Sequence, residues 1–118
     1  MAKNLAVSGF HISAWNRTPS KAAFLKEFEV DIKISAAEAV KNADVIISML
    51  SDGDASHEMQ NDEKIRGNLS PNCTWIEMGS IKPDEARAHS VNLNDLNVNY
   101  LDAPVSGGTK GADTRSLA

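Results

Sequence analysis

The chain is short of cysteine, of basic charge and of long apolar runs, and each shortage removes a class of function. One cysteine in 118 residues, Cys73, cannot close an intrachain disulfide. Neither it nor the three histidines falls at the spacing of a zinc site, so no metal is expected and a reducing, cytoplasmic compartment fits best. Sixteen acidic against twelve basic residues give a formal net charge of -4. No window clusters the bases, so nucleic acid is not an expected partner. No apolar run approaches the roughly 18 residues of a membrane span, and the first residues lack the apolar core of a secretion signal, so no membrane partner is expected either. What is present is ordinary for a soluble globular chain: 42% hydrophobic and 24% charged residues, enough for one domain or part of one with a single core.

Along the chain, strands alternate with short helices. Met1 to Ser8 has Ala2, Leu5 and Ala6 at helical spacing and stops at Gly9, so it reads as the end of a helix. Phe10 to Trp15 alternates as a strand, and Asn16-Arg17-Thr18-Pro19 turns the chain. Thr18 is placed to cap a helix through Phe28, with Pro19 at its first position. Val30 to Ile34 is a weak strand or connection, and Ser35-Ala36-Ala37-Glu38 has the capping-box pattern of a brief helix to about Asn42. The nearly continuous apolar run Val45 to Leu50 predicts a strand buried on both faces. Ser51 to Asp54 reads as a loop, Ala55 to Arg66 as a helix ended by Gly67, and Thr74 to Met78 as the next strand. Pro83-Asp84-Glu85 opens a further helix, and Val98 to Leu101 is the last strand. The alternation predicts an α/β fold, a doubly wound parallel sheet.

In such sheets ligands bind outside the carboxyl ends of the strands. The candidates are therefore Asn16-Arg17-Thr18, Leu50-Ser51-Asp52, Gly79-Ser80 and the stretch Asp102 to Asp113, DAPVSGGTKGAD. Three glycines in five positions free this last stretch to turn with positive φ, and its amides could form a concave nest for a carboxylate or phosphate. Ser106 adds a hydroxyl and Lys110 a mobile charge. Elsewhere the residues have plainer explanations. His11, His57 and His89 show no partner spacing and read as structural or surface residues; Cys73 has no nearby histidine in sequence; Trp15 and Trp75 read as packing. Asp52, Asp54, Asp84 and Glu85 fall near helix starts, where the dipole accounts for them. Asp102, next to the glycine stretch, is placed to order it.

The segments MAKNLAVSGFHISAWNRTPSKA, ADVIISMLSD, EMGSIKPDEA and DAPVSGGTKGAD together resemble the β-hydroxyacid dehydrogenases, in family order and over essentially the whole chain. These include 3-hydroxyisobutyrate dehydrogenase, tartronate semialdehyde reductase and the glyoxylate/succinic semialdehyde reductases, with 6-phosphogluconate dehydrogenase more distant. The resemblance implies a Rossmann domain over residues 1–118 and a reversible NAD(P)-dependent oxidation of a 3-hydroxy acid. Asn16, Arg17 and Thr18 then follow the second Rossmann strand, where NAD enzymes usually place an acid. Arg17 instead suits a 2′-phosphate, which favours NADP over NAD. Met49, Leu50 and Ser51 fall in the cofactor-flanking segment, with Ser51 in place of the proline often found there, and Ser80 falls on the nicotinamide side. Ser106, Gly107 and Gly108 correspond to the site for the substrate carboxylate.

The same resemblance predicts two gaps. The family's first strand and GxGxxG fingerprint precede the residues matching Met1-Ala2-Lys3, and the sheet is expected to be incomplete without them. The neighbours of that strand would expose unpaired edges, so a homo-oligomer or strand-swapped dimer is expected. The family's proton-transferring lysine and its all-helical substrate and dimerisation domain correspond to positions beyond Ala118, so no catalytic residue is assigned within the chain and activity of the chain alone is not expected. A different class remains open: a non-catalytic oligomeric scaffold or weak ligand binder.

Overall fold

The computed structural model describes residues 1–117, which form six α-helices and five short strands. They divide into two compact units. One holds Met1–Ala39 and the segment from Ser106 onward; the other is Val40–Val105. Every strand pairing is parallel, as the alternation of elements predicts, but the strands form two sheets of two and three strands.

In the first unit, α1 (Ala2–Val7) ends at Ser8, and Gly9 turns the chain at φ +101°. β1 is only Ser13–Ala14, shorter than the six-residue alternation suggests, and pairs with β2 (Asp31–Ile32). Between them the expected α-helix is two 3-10 segments, Pro19–Lys21 and Ala23–Phe28. Thr18 makes no side-chain cap; its own amide donates to Asn16 Oδ1 at 2.9 Å, so asparagine rather than threonine shapes this turn. The core here is Ala22, Leu25 and Val30, with Ala2, Ala6, Ile12, Ala14, Phe28 and Ile32 packed on it. α6 (Gly108–Thr114) is tied to α1 by Asn4, whose Nδ2 donates to the Ala112 carbonyl at 2.6 Å.

The second unit is built on the order β3-β4-β5: Val45–Ser48, Thr74–Glu77 and Asn99–Asp102. α2 (Ala36–Val40) leads into it, and the Ser35 hydroxyl accepts from the Glu38 amide at 3.1 Å, the forward half of the expected capping box. Each strand of this sheet follows an asparagine with positive φ, Asn42, Asn72 and Asn97 at φ of 58 to 69°. Asparagine tolerates this left-handed conformation better than most residues, which makes these three the turn points that set the strand starts.

The connection read as one helix from Ala55 to Arg66 is two. α3 (Gly53–Asn61) is capped by Asp52, whose Oδ1 accepts from the Ala55 amide at 2.9 Å. α4 (Glu63–Asn68) starts afresh because Asp62 Oδ1 accepts from the Lys64 and Ile65 amides, and it runs through Gly67 to Asn68. α5 (Pro83–Asn94) opens on its proline, with the Lys82 amide donating to Glu85 Oε2 at 2.9 Å.

The apolar run of β3 is not buried on both faces. Ile46 and Ser48 are buried, but Val45 and Ile47 are exposed, and the register lines Ile47 up with Ile76 and with exposed Leu101. One face of this sheet is thus packed, around Trp75 and Glu77, and the other carries an open apolar row. Among the described residues no helix is long and apolar enough to cross a membrane.

Candidate functional site

The candidate residues fall in both units. In the first, Asn16, Arg17 and Thr18 are all exposed at the carboxyl end of β1. The Asn16–Thr18 bond fixes the turn on either side of Arg17, and Arg17 itself has no ion-pair partner among the described residues. An uncommitted guanidinium on a braced turn suits a phosphate, to which it can present two parallel donors.

The glycine stretch differs from the open loop expected. Its helix α6 begins at Gly108, so Lys110 and Gly111 are helical. Gly107 (φ +129°) and Gly108 (φ +61°) do need glycine's backbone freedom. A Cβ on Gly107 would lie 3.3 Å from the Leu117 side chain, and one on Gly111 3.1 Å from it. Part of the glycine content is therefore packing room for Leu117, and Ser106, Gly107 and Gly108 are the exposed part of the stretch ahead of α6. Asp102, the last residue of β5, is exposed.

In the second unit, Met49, Leu50 and Ser51 follow β3 and Ser80 follows β4; Met49, Ser51 and Ser80 are exposed and Leu50 is half-buried. These two strand ends meet at Gly79, which is buried. A Cβ there would lie 2.8 Å from the Leu50 carbonyl oxygen and 3.1 Å from Glu77 Oε1, so only glycine lets the two loops close to this distance. The Gly79 amide donates to Glu77 Oε1 at 3.3 Å, and the Ser56 hydroxyl donates to Glu77 Oε2 at 2.6 Å.

Glu77 and Ser56 carry no motif and were not among the sequence candidates. The strand alternation holds the signal that finds Glu77: two residues after Trp75, it must share that residue's buried face. Around it lie other buried polar groups. His89 stacks on His57 with ring centroids 6.1 Å apart and meets Tyr100 edge-on at 6.1 Å, a pairing that their sequence spacing does not announce. Burial pushes the His89 imidazole below its ordinary range, opposed by the Glu77 carboxylate, and burial pushes the Tyr100 phenol up. Cys73 is buried and its thiol likewise raised by burial. Among the described residues no group of three His, Cys, Asp or Glu side chains is placed to hold a metal ion.

Comparison with known proteins adds three findings. Residues 1–118 match the family model described as the NAD binding domain of 6-phosphogluconate dehydrogenase. The chain is 32% identical to an NAD-dependent L-serine dehydrogenase of Pseudomonas aeruginosa and 32% identical to a probable 3-hydroxyisobutyrate dehydrogenase of Mycobacterium tuberculosis, over 99% and 100% of its own length. It spans 40% of the length of each of these relatives. The solved structure of the Mycobacterium tuberculosis 3-hydroxyisobutyrate dehydrogenase with L-serine superposes with a TM-score of 0.92 at 31% identity, covering 98% of this chain and 39% of that one.

Proposed function

Because the chain belongs to the family of the NAD binding domain of 6-phosphogluconate dehydrogenase, we propose that it is the dinucleotide-binding part of an oxidoreductase interconverting a 3-hydroxy acid and its semialdehyde or keto acid. L-serine, named for the Pseudomonas aeruginosa enzyme and present in the solved Mycobacterium tuberculosis structure, is itself a 3-hydroxy acid, which supports this reading. The dinucleotide, when bound, supplies the hydride-accepting and hydride-donating nicotinamide. The chain's own residues bind and orient. Arg17, with Asn16 and Thr18, holds the 2′-phosphate of NADP; Met49, Leu50 and Ser51 flank the dinucleotide; Ser80 borders the nicotinamide; Ser106 and the amides of Gly107 and Gly108 take the substrate carboxylate.

The observation that carries the cofactor choice is the exposed, unpaired guanidinium of Arg17 at the end of β1, where no acid stands to meet ribose hydroxyls. The Pseudomonas aeruginosa relative is named for NAD, so this preference is a property proposed for this chain rather than carried from a relative. Titration of NADPH and NADH into the chain and into Arg17→Ala tests it. A charge-assisted hydrogen bond contributes about 1.5–3 kcal/mol, so the variant should lose about ten- to a hundredfold in NADPH affinity while NADH changes little. Equal affinities of both proteins for both cofactors would refute it.

The open row of Val45, Ile47 and Leu101 favours an assembled state, with a second copy covering this face. Light scattering that shows only monomer across the accessible concentration range would count against that assembly.

A further inference from the structure

Glu77 is an expensive residue in its position. It is fully buried, and the ion pairs among the described residues are Lys33–Asp31 and Arg87–Asp84, so no lysine or arginine balances it. Removing a carboxylate from water without a cation is costly, and an apolar side chain of the same volume would pack beside Trp75 without that cost. Core filling therefore does not account for a glutamate here.

What a carboxylate does that an apolar group cannot is hold two donors at once. One is the Ser56 hydroxyl on α3, itself fully buried. The other is the Gly79 amide, two residues along the chain from Glu77. The backbone on either side of this contact is otherwise fixed: the Met78 amide donates to the Ser48 carbonyl and the Ala103 amide to the Glu77 carbonyl, both at 2.8 Å. Gly79 is the first amide beyond the ladder, and its hydrogen bond is to the Glu77 side chain. At this bond Gly79 lies close against the Leu50 carbonyl, and the following Ser80 is exposed.

We propose that Glu77, braced by Ser56, is a positioning residue that sets the conformation of the loop Met78-Gly79-Ser80 and through it the placement of the Ser80 hydroxyl. Its bearing on function rests on the reading above that Ser80 borders the cofactor.

The test is amide hydrogen exchange on the nitrogen-15-labelled chain, with the Met78 amide as internal reference because its partner is the Ser48 backbone rather than a side chain. Glu77→Met keeps the volume and removes both acceptors. Gly79 should then exchange at least about tenfold faster while Met78 keeps its protection. Glu77→Gln, which can still accept from Gly79 while its amide donates to the Ser56 oxygen, should restore protection to within about threefold of the parent. Ser56→Ala should speed Gly79 exchange several-fold with Met78 unchanged. If Glu77→Met does not fold, the Ser56→Ala and Glu77→Gln results decide. Unchanged Gly79 exchange, or Gly79 and Met78 losing protection in step, overturns the proposal. NADPH affinity of the same variants reads the other premise: a loosened Gly79 amide with undiminished affinity would leave the positioning role standing and remove Ser80 from the cofactor site.

Discussion

Two glycines of the second unit should respond differently to the same added methyl group. At Gly79 the new Cβ would lie 2.8 Å from the Leu50 carbonyl oxygen, 3.4 Å from the Leu50 nitrogen and 3.1 Å from Glu77 Oε1. Two of these atoms are backbone at the end of β3 and the third is pinned by Ser56, so relief requires the strand ends to part by about half an ångström. Overpacking of this kind costs about 1–3 kcal/mol, offset by about 0.4–1 kcal/mol from the stiffer unfolded chain, which leaves Gly79→Ala destabilised by about 1–2 kcal/mol. At Gly53 the nearest atoms all belong to the Glu85 carboxylate, the far end of a flexible side chain. Swinging it aside sacrifices its bond from the Lys82 amide, about 0.5–1.5 kcal/mol, against a gain of about 0.4–1 kcal/mol from the stiffer unfolded chain. Gly53→Ala should therefore be close to neutral. Urea unfolding followed by fluorescence in a Trp15→Phe background, where buried Trp75 is the remaining tryptophan reporter, distinguishes them. With a urea slope of about 2 kcal/mol per molar, the Gly79→Ala midpoint should fall by about 0.5–1 M and the Gly53→Ala midpoint should stay within about 0.3 M. A Gly79→Ala midpoint equal to the parent's, or a larger loss at Gly53, would refute the close approach of the two strand ends.

Other expectations follow from burial and capping. Leu93 is fully buried on α5, and Leu93→Ala should cost about 2–5 kcal/mol in the same unfolding assay. His89 is held neutral by burial, against Glu77 and Glu85, which favour its charged form, and with His57, which disfavours it. Its folded pKa lies below the ordinary 6.5, so the unfolded chain binds the proton first: stability is full above about pH 6.5 and declines as pH falls through that value toward the folded pKa. His89→Gln should flatten this part of the stability curve, and an unchanged slope would show that other groups produce it. Asp62→Ala removes the acceptor of two α4 amides and should cost about 1 kcal/mol, with Asp62→Asn retaining most of the cap. Buried Cys73 should react with a thiol reagent at a rate that rises with reagent concentration to a plateau at the rate of unfolding, which stopped-flow fluorescence measures independently.

The sequence pattern located four of the five strands and left β2 open between strand and connection, because alternation and turn residues are local signals and β2 is only two residues long. It overstated β1 and misjudged β3, because a run of Val-Ile-Ile looks the same whether one face or both are covered; only the neighbouring elements decide that. The break between α3 and α4 was hidden since Asp62 interrupts no apolar period, yet its carboxylate caps the second helix more strongly than the first can continue through it. Glycines mislead in a similar way. Gly107 and Gly108 are conformational, as a loop reading supposes, whereas Gly111 is a matter of room for Leu117. The positions of Arg17 after β1 and Ser80 after β4 were legible from the alternation of elements. The burial of Glu77 was legible in the same way, but its hydrogen bonds were not, because one comes from Ser56, 21 positions away, and the other from an amide that no side-chain motif records.

The position of each β4 partner along the chain decides which elements its buried carboxylate depends on. Its ladder partner β3, the Ser56 hydroxyl and the Ser48 hydroxyl that accepts from the Trp75 indole all precede it in the chain, and the Gly79 amide follows within two residues. Both donors to the buried Glu77 carboxylate, Ser56 and Gly79, thus lie outside α5 and β5, and neither later element is needed to satisfy it. β5 adds its ladder to a strand whose buried carboxylate is already satisfied from within residues 56–79, so a change in α5 or β5 need not disturb those two hydrogen bonds.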